Sequence, residues 1–179
     1  MKTEYGYKLF ERKGDQIFPL FIDKSSPVPV GEWVPAENHP TKGFAKRPGW
    51  HIGMIPDAPW LKGANGKYKS RFAKGERVWC VVEFDRTINY QPEVDALSKK
   101  CFTDRIPENG FYIFRECGKG DWVISGSIRV VRILTEDERQ EVLDGLNYDE
   151  QKAFEKEAKK FVKRRETERL KKAMSREDV

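Results

Sequence analysis

The stretch Arg77-Val78-Trp79-Cys80-Val81-Val82-Glu83-Phe84 decides the fold of this 179-residue chain. It is apolar at nearly every position, and β-branched and aromatic residues dominate it. Such a run predicts a strand that is covered on both faces and therefore central in a sheet. Because successive side chains of a strand point to opposite faces, Trp79 and Val81 share one face. We expect both of them to be buried.

Weaker strand patterns lie on both sides of this stretch. Residues 5–10 and 17–22 predict a hairpin around Gly14-Asp15, and Pro19 predicts that its second strand is irregular or lies at an edge. Residues 111–114 and 122–124 predict a second hairpin, and 127–134 predict a further strand after a bulge at Gly126. A short helix is expected near 92–100.

The segment from 24 to 74 is irregular in pattern. Seven of the ten prolines lie between Pro27 and Pro59, and they exclude a periodic helix there. The segment also contains many aromatic and β-branched residues, too many for a disordered linker. We therefore expect it to be ordered and to wrap over the sheet.

Helix-capping signals appear after residue 134. Thr135 and Glu138 have the spacing of a capping box, so they predict a helix over 136–144 that ends at Gly145. Asn147 and Glu150 repeat the signal and predict a long helix over 148–176. The sequence thus predicts an α+β domain at 1–134, with an antiparallel-rich twisted sheet wrapped by the Pro/Gly-rich segment. Two C-terminal helices form an extension at 135–179.

The excess of five positive charges lies in residues 151–179, within the long helix of that extension. Residues 1–150 contain 23 basic and 23 acidic residues, whereas residues 151–179 contain 11 and 6. A basic helix can bind nucleic acid or an acidic protein, although the interspersed Glu residues are also compatible with a merely solvated helix. The candidate partner-binding residues are Lys159, Lys160, Lys163, Arg164, Arg165, Arg169, Lys171 and Lys172.

Other classes of protein are disfavoured by the composition. The three cysteines, Cys80, Cys101 and Cys117, are an odd number without C-x-x-C spacing, which indicates reduced thiols rather than a disulfide framework. The two histidines and the cysteines show no zinc spacing, so we expect no metal site. No signal-peptide pattern and no apolar run of membrane-spanning length is present. We expect a soluble cytoplasmic protein without a membrane partner.

A candidate ligand cleft is suggested by residues 43–54, where Arg47, Trp50 and His51 stand among glycines and prolines. Arg can bind phosphate or carboxylate, Trp can stack on a flat ring, and His can carry a proton. Alternatively, Trp50 is a core residue and His51 pairs with the backbone at a strand start. The loop at 117–120 offers Lys119 and backbone amides to an anion, or it is only a solvated hairpin turn.

The order of several motifs resembles that of a family of small, uncharacterised phage and prophage proteins. These motifs are GYKLF (6–10), PVGEW (29–33), HPTKGF (39–44), RPGWH (47–51), VWCVVE (78–83) and RVVRIL (129–134). The resemblance covers residues 6–134 and leaves out the helical extension. It implies a phage-type protein and assigns no activity.

A more distant similarity is to small domains with an ADP-ribosyltransferase-like fold. Transferases of that fold use Arg or His in the first strand and a Glu late in the chain. Here Tyr7 or Lys8 takes the first position, which departs from the pattern, and Glu116 is a loose match to the second. The resemblance implies that NAD or another nucleotide could be a ligand.

Two hypotheses follow for the function. The first is a phage-type accessory or host-interaction protein, a non-catalytic binding module without a cofactor that contacts a partner through its basic helix. The second is a divergent nucleotide- or NAD-using transferase with its cleft at Arg47, Trp50 and His51.

Overall fold

The computed structural model of the protein describes residues 1–20, 24–36, 48–58, 75–97, 105–115, 122–146 and 148–177. Within these ranges, nine strands form one mostly antiparallel sheet, accompanied by three helices. The strands are β1 (Thr3–Lys13), β2 (Gln16–Phe18), β3 (Trp33–Pro35), β4 (Trp50–Gly53), β5 (Glu76–Asp85), β6 (Ile88–Asn89), β7 (Gly110–Arg115), β8 (Trp122–Ser125) and β9 (Ser127–Ile133). The helices are α1 (Gln91–Asp95), α2 (Glu136–Asp144) and α3 (Tyr148–Glu177). The predicted α+β class is confirmed.

The longest ladder of the sheet joins β1 and β5. Their antiparallel pairing runs from Thr3 opposite Asp85 to Arg12 opposite Glu76. β5 pairs with β9 on its other side, so the RVWCVVEF stretch is central, as predicted. Trp79 is buried, but Val81 is only partly buried, contrary to expectation. On the neighbouring strands Val81 stands opposite Tyr7 and the exposed Arg132, which do not cover it completely.

The order of strands across the sheet is β3-β9-β5-β1-β4-β8-β7-β6, and β2 pairs with β1. β8 and β9 are separated in the chain by Gly126 alone, yet three strands lie between them in the sheet. At Gly126 the chain therefore crosses from β8, which pairs with β4 and β7, to β9, which pairs with β3 and β5. The sequence had suggested a bulge at this residue. A Cβ atom at Gly126 would lie 1.9 Å from the carbonyl oxygen of Pro107, so only glycine fits at this turn.

The change of direction at Gly126 is held by hydrogen bonds on both sides. The Ser125 hydroxyl is 3.2 Å from the carbonyl oxygen of Asp85 and 3.1 Å from that of Ser127. Gly126 donates its amide to Gly110, and its carbonyl accepts from Ala36. The main core lies on one face of the sheet beside this turn. Its buried residues are Phe10, Ile17, Val28, Ile52, Cys80, Val82, Phe84, Phe111, Val123, Ile128 and Val130.

Both predicted hairpins are present, with bounds that differ from the expected ones. β1 and β2 pair around Gly14, which has a φ of 62°, and β7 pairs with β8. β2 ends at Phe18, short of the predicted 17–22; of that range, residues 21–22 lie outside the described part of the chain. α1 covers Gln91–Asp95 rather than 92–100, of which residues 98–100 are likewise not described.

α2 begins at the predicted capping box, in which Thr135 and Glu138 each bond the other's backbone amide. Arg139 connects this helix to the body of the protein. Its buried guanidinium donates to the carbonyl of Pro56 at 2.7 Å, to Asp57 at 3.2 Å and to Glu136 at 2.9 Å. α2 is therefore fixed to the segment that follows β4.

Candidate functional site

The first candidate site is the segment at β4, where the sequence placed Trp50 and His51. The indole nitrogen of Trp50 donates a hydrogen bond of 3.0 Å to the carbonyl of Val34, and its ring packs against the main core. The ring of His51 meets the ring of Phe114 edge-on, with centroids 4.8 Å apart. Because neighbouring residues of a strand point to opposite faces, the structure does not bring these two side chains together.

Gly49 explains why the backbone of this segment lies so close to β8. A Cβ atom at Gly49 would be 2.6 Å from the carbonyl oxygen of Ser125 and 2.7 Å from a methyl group of Ile124. The glycine thus has a packing role beside β8. The preceding carbonyl, that of Pro48, accepts a hydrogen bond from Ile106. Arg47 and Lys119, the two other predicted ligand-binding residues, lie outside the described residues, as does Glu116.

Among the described residues, Lys8 on β1 contacts Trp50. β1 and β4 pair only through Tyr7 and Gly53, so the two strands diverge toward Trp50. Across this divergence the ammonium of Lys8 donates to the carbonyl of His51 at 2.9 Å. It also lies 5.6 Å from the ring centroid of Trp50, within cation–π range. Lys8 therefore links the diverging strands. In the sequence, the sign of this contact was a lysine placed between the apolar residues Tyr7 and Leu9 of β1.

A second charged feature crosses the opposite face of the sheet. Arg129 on β9 lies opposite both Trp33 on β3 and Glu83 on β5. Its guanidinium is 5.3 Å from the Trp33 ring centroid, and its Nε donates to the buried Glu83 carboxylate at 3.0 Å. A guanidinium held between a ring and a carboxylate joins three neighbouring strands of the sheet. The sequence signal for this contact was a pair of opposite charges, Glu83 and Arg129, each within a mostly apolar strand pattern. This signal entered none of the predictions made from the sequence.

Nucleophilic and metal chemistry gain no support from the described residues. Cys80 is completely buried in the main core, and burial raises the pKa of its thiol to about 12. At neutral pH it is protonated and is a poor nucleophile. Cys101 and Cys117 lie outside the described part. Among the residues that the structure describes, no group of three or more His, Cys, Asp or Glu could hold a metal ion.

α3 offers a different kind of surface. The eight cations predicted to bind a partner all lie on it, and every one is exposed. From Lys159 to Arg176 the sequence has nine Lys or Arg residues and two Glu residues, a higher excess than in the extension as a whole. Leu170 and Met174 are also exposed, at 65% and 66%. None of the described helices has the length and the apolar composition needed to cross a membrane.

Comparisons with protein-family models, with curated proteins and with solved structures found no match for this chain. The candidate sites therefore rest on the geometry above. Of these sites, the cations of α3 are the ones that the structure leaves accessible as a group.

Proposed function

We propose that this protein is a non-catalytic binding module, a phage-type accessory or host-interaction protein, that binds an anionic partner through α3. The observation that carries the proposal is the placement of charge. The eight cations named in the sequence analysis are exposed on one helix, while residues 1–150 have no net charge. Attraction between this helix and a polyanion is long-ranged at low salt, so it favours association.

The proposal includes the finer architecture expected from the sequence. The Pro/Gly-rich segment wraps the sheet, and residues 135–179 form a helical extension of the domain at 1–134. Two contacts of the described part of the segment support its association with the sheet. Val28 donates its amide to the carbonyl of Ile17, and Gly31 donates to that of Val130, so the segment runs beside β2 and β9. The free thiol of Cys80 is in keeping with a cytoplasmic location.

Truncation after Val162 tests the proposal. The cut removes seven basic and four acidic residues, a net charge of +3, and leaves α1, α2 and all strands of the described chain. On immobilised heparin, a sulfated polyanion, the full chain should elute at clearly higher NaCl than residues 1–162. Far-UV circular dichroism should show the same thermal midpoint for the sheet domain in both proteins.

A matched control removes the same net charge from the body. Lys2, Lys13 and Lys24 are exposed, and the variant K2Q/K13Q/K24Q also lowers the net charge by three. Its elution should stay close to that of the full chain. If the control and the truncated protein both elute at an equally reduced NaCl concentration, overall charge rather than α3 determines binding. Unchanged elution of residues 1–162 would refute the proposal.

A further inference from the structure

Four of the cations on α3 form a row that the overall charge count does not reveal. Arg165, Arg169, Lys172 and Arg176 follow one another at intervals of four, three and four residues. At 3.6 residues per turn and a rise of 1.5 Å per residue, they lie within about 60° of the helix circumference and span about 16 Å along the axis. All four are exposed. We call them the basic stripe.

The surface beside the stripe is open and is lined mainly by charged residues. Arg165, Arg169 and Lys172 border one shallow groove together with Glu168, Lys171 and Ser175. Glu168 is the acidic group among these groove residues. The exposed apolar residues Leu170 and Met174 lie about 140° and 180° around the helix from Arg165, on the other side. From Arg165 to Arg176, an interface centred on the stripe would therefore contain charged side chains and no large apolar one.

That composition distinguishes between two kinds of anionic partner. Protein–protein interfaces have an apolar or aromatic centre from which charged residues are depleted. Interfaces with nucleic acids are more polar and strongly positive, and most of their contacts go to phosphate oxygens. Three of the four stripe residues are Arg, whose planar guanidinium forms paired hydrogen bonds to phosphate.

We infer that the basic stripe of α3 binds the phosphate backbone of nucleic acid. This inference rests on the proposed function, and it adds the partner class and the face of the helix. Contacts to phosphates release counterions, with a slope of log K against log salt of about −0.9 per contact on duplex DNA. Four contacts give a slope of about −3.6, so affinity falls about 150-fold between 50 and 200 mM salt.

The test measures binding of the full chain to a fluorescent 20-base-pair duplex DNA as a function of salt. The stripe variant R165Q/R169Q/K172Q/R176Q is compared with the control K156Q/K159Q/K160Q/K163Q. Both variants lose four charges, both keep good helix formers at exposed positions, and the control residues all lie more than about 100° from Arg165. The stripe variant should lose most of the slope of log K against log salt. The slope of the control should change by no more than about 0.9, the value for one phosphate contact.

Glu168→Gln provides a variant whose effect cannot arise from unfolding. It removes a like charge beside the phosphates, so it should raise affinity for the duplex several-fold at 50 mM salt. Equal losses in the two quadruple variants, or no gain with Glu168→Gln, would refute the assignment to this face. Binding of polyglutamate with weak binding of DNA would refute the nucleic-acid partner and leave the proposed function intact. Failure to bind heparin, polyglutamate and DNA alike would refute both.

Discussion

The indole nitrogen of Trp50 lies 3.0 Å from the carbonyl oxygen of Val34, and this hydrogen bond joins β4 to β3. In the order of the sheet these two strands are separated by β9, β5 and β1. Trp50 therefore reaches across the core-covered face of a strongly curved sheet, and its indole N–H makes a structural contact.

Trp50→Phe should lower the free energy of unfolding by about 1–3 kcal/mol, because it leaves the Val34 carbonyl without its donor. Urea denaturation followed by circular dichroism measures the change. Trp33→Phe is the matched control, since a phenyl ring can still face the Arg129 guanidinium, and it should cost less than about 1 kcal/mol. An equal decrease in the free energy of unfolding for the two variants would argue against a special role for the indole of Trp50.

Gly126→Ala should prevent the domain from folding or destabilise it severely. The added Cβ would be 1.9 Å from the Pro107 carbonyl oxygen and 2.8 Å from the Cα of Glu108, and both are backbone atoms. Gly145→Ala serves as the control because Gly145 has a φ of −74° and an added Cβ would meet nothing closer than 3.4 Å. The control should be unchanged or stabilised by up to about 1 kcal/mol. A cooperative, near-native thermal transition of Gly126→Ala would contradict the turn described here.

Asp57 and Glu138 should affect stability with opposite dependence on pH. Burial raises the pKa of Asp57 above 3.8, outweighing the nearby Arg139, so the folded state binds this proton more tightly than the unfolded state. The stability contribution of Asp57 is present below pH 3.8 and is lost as pH rises through its folded pKa. Asp57→Asn should therefore gain stability relative to the wild type as pH rises over that interval.

Glu138 has a lowered pKa because it accepts the Thr135 backbone amide in the capping box. Its contribution is present above pH 4.5 and is lost as pH falls through the folded pKa. Glu138→Gln should be less stable than the wild type at pH 7 and should approach it in acid. Urea denaturation at several pH values between 3 and 7 checks both variants, and difference curves of the same sign would contradict the assignment.

Cys80 should be unreactive in the folded protein, since its thiol is buried and its pKa is raised to about 12. In the background C101S/C117S, which leaves Cys80 as the single thiol, Ellman's reagent at pH 8 should label no thiol in native protein. In 8 M urea it should label one thiol per chain. Rapid labelling under native conditions would show that the core around Cys80 opens easily.

Local patterns predicted the elements well where a few neighbouring residues decide the outcome. The RVWCVVEF run identified the central strand because its apolar residues continue on both faces, and Thr135 with Glu138 identified the start of α2 because capping depends on adjacent groups. Gly126 was correctly noticed, but its role depends on Pro107, which approaches it only in the folded chain.

The candidate site could be predicted less well, because side-chain direction depends on pairing. Trp50 and His51 are adjacent in sequence and lie on opposite faces of β4, so their residue types overstated their proximity. Lys8 meets Trp50 only because β1 and β4 diverge. The exposure of the α3 cations, by contrast, follows from composition, since a helix segment with few apolar residues has little to bury.

The position of β9 has a consequence for how the molecule reaches its folded state. β9 is the last strand of the described chain, yet it lies between β3 and β5, and Arg129 pairs with Trp33 from far earlier in the sequence. Non-local pairings of this kind slow folding, because a long loop must close before any contact compensates for it. Until β9 has paired with β5, one edge of β5 is unpaired and rich in Val. Such an edge is a template for self-association. We therefore expect slow refolding, and aggregation that begins at β5 when synthesis or refolding stalls before Ser127.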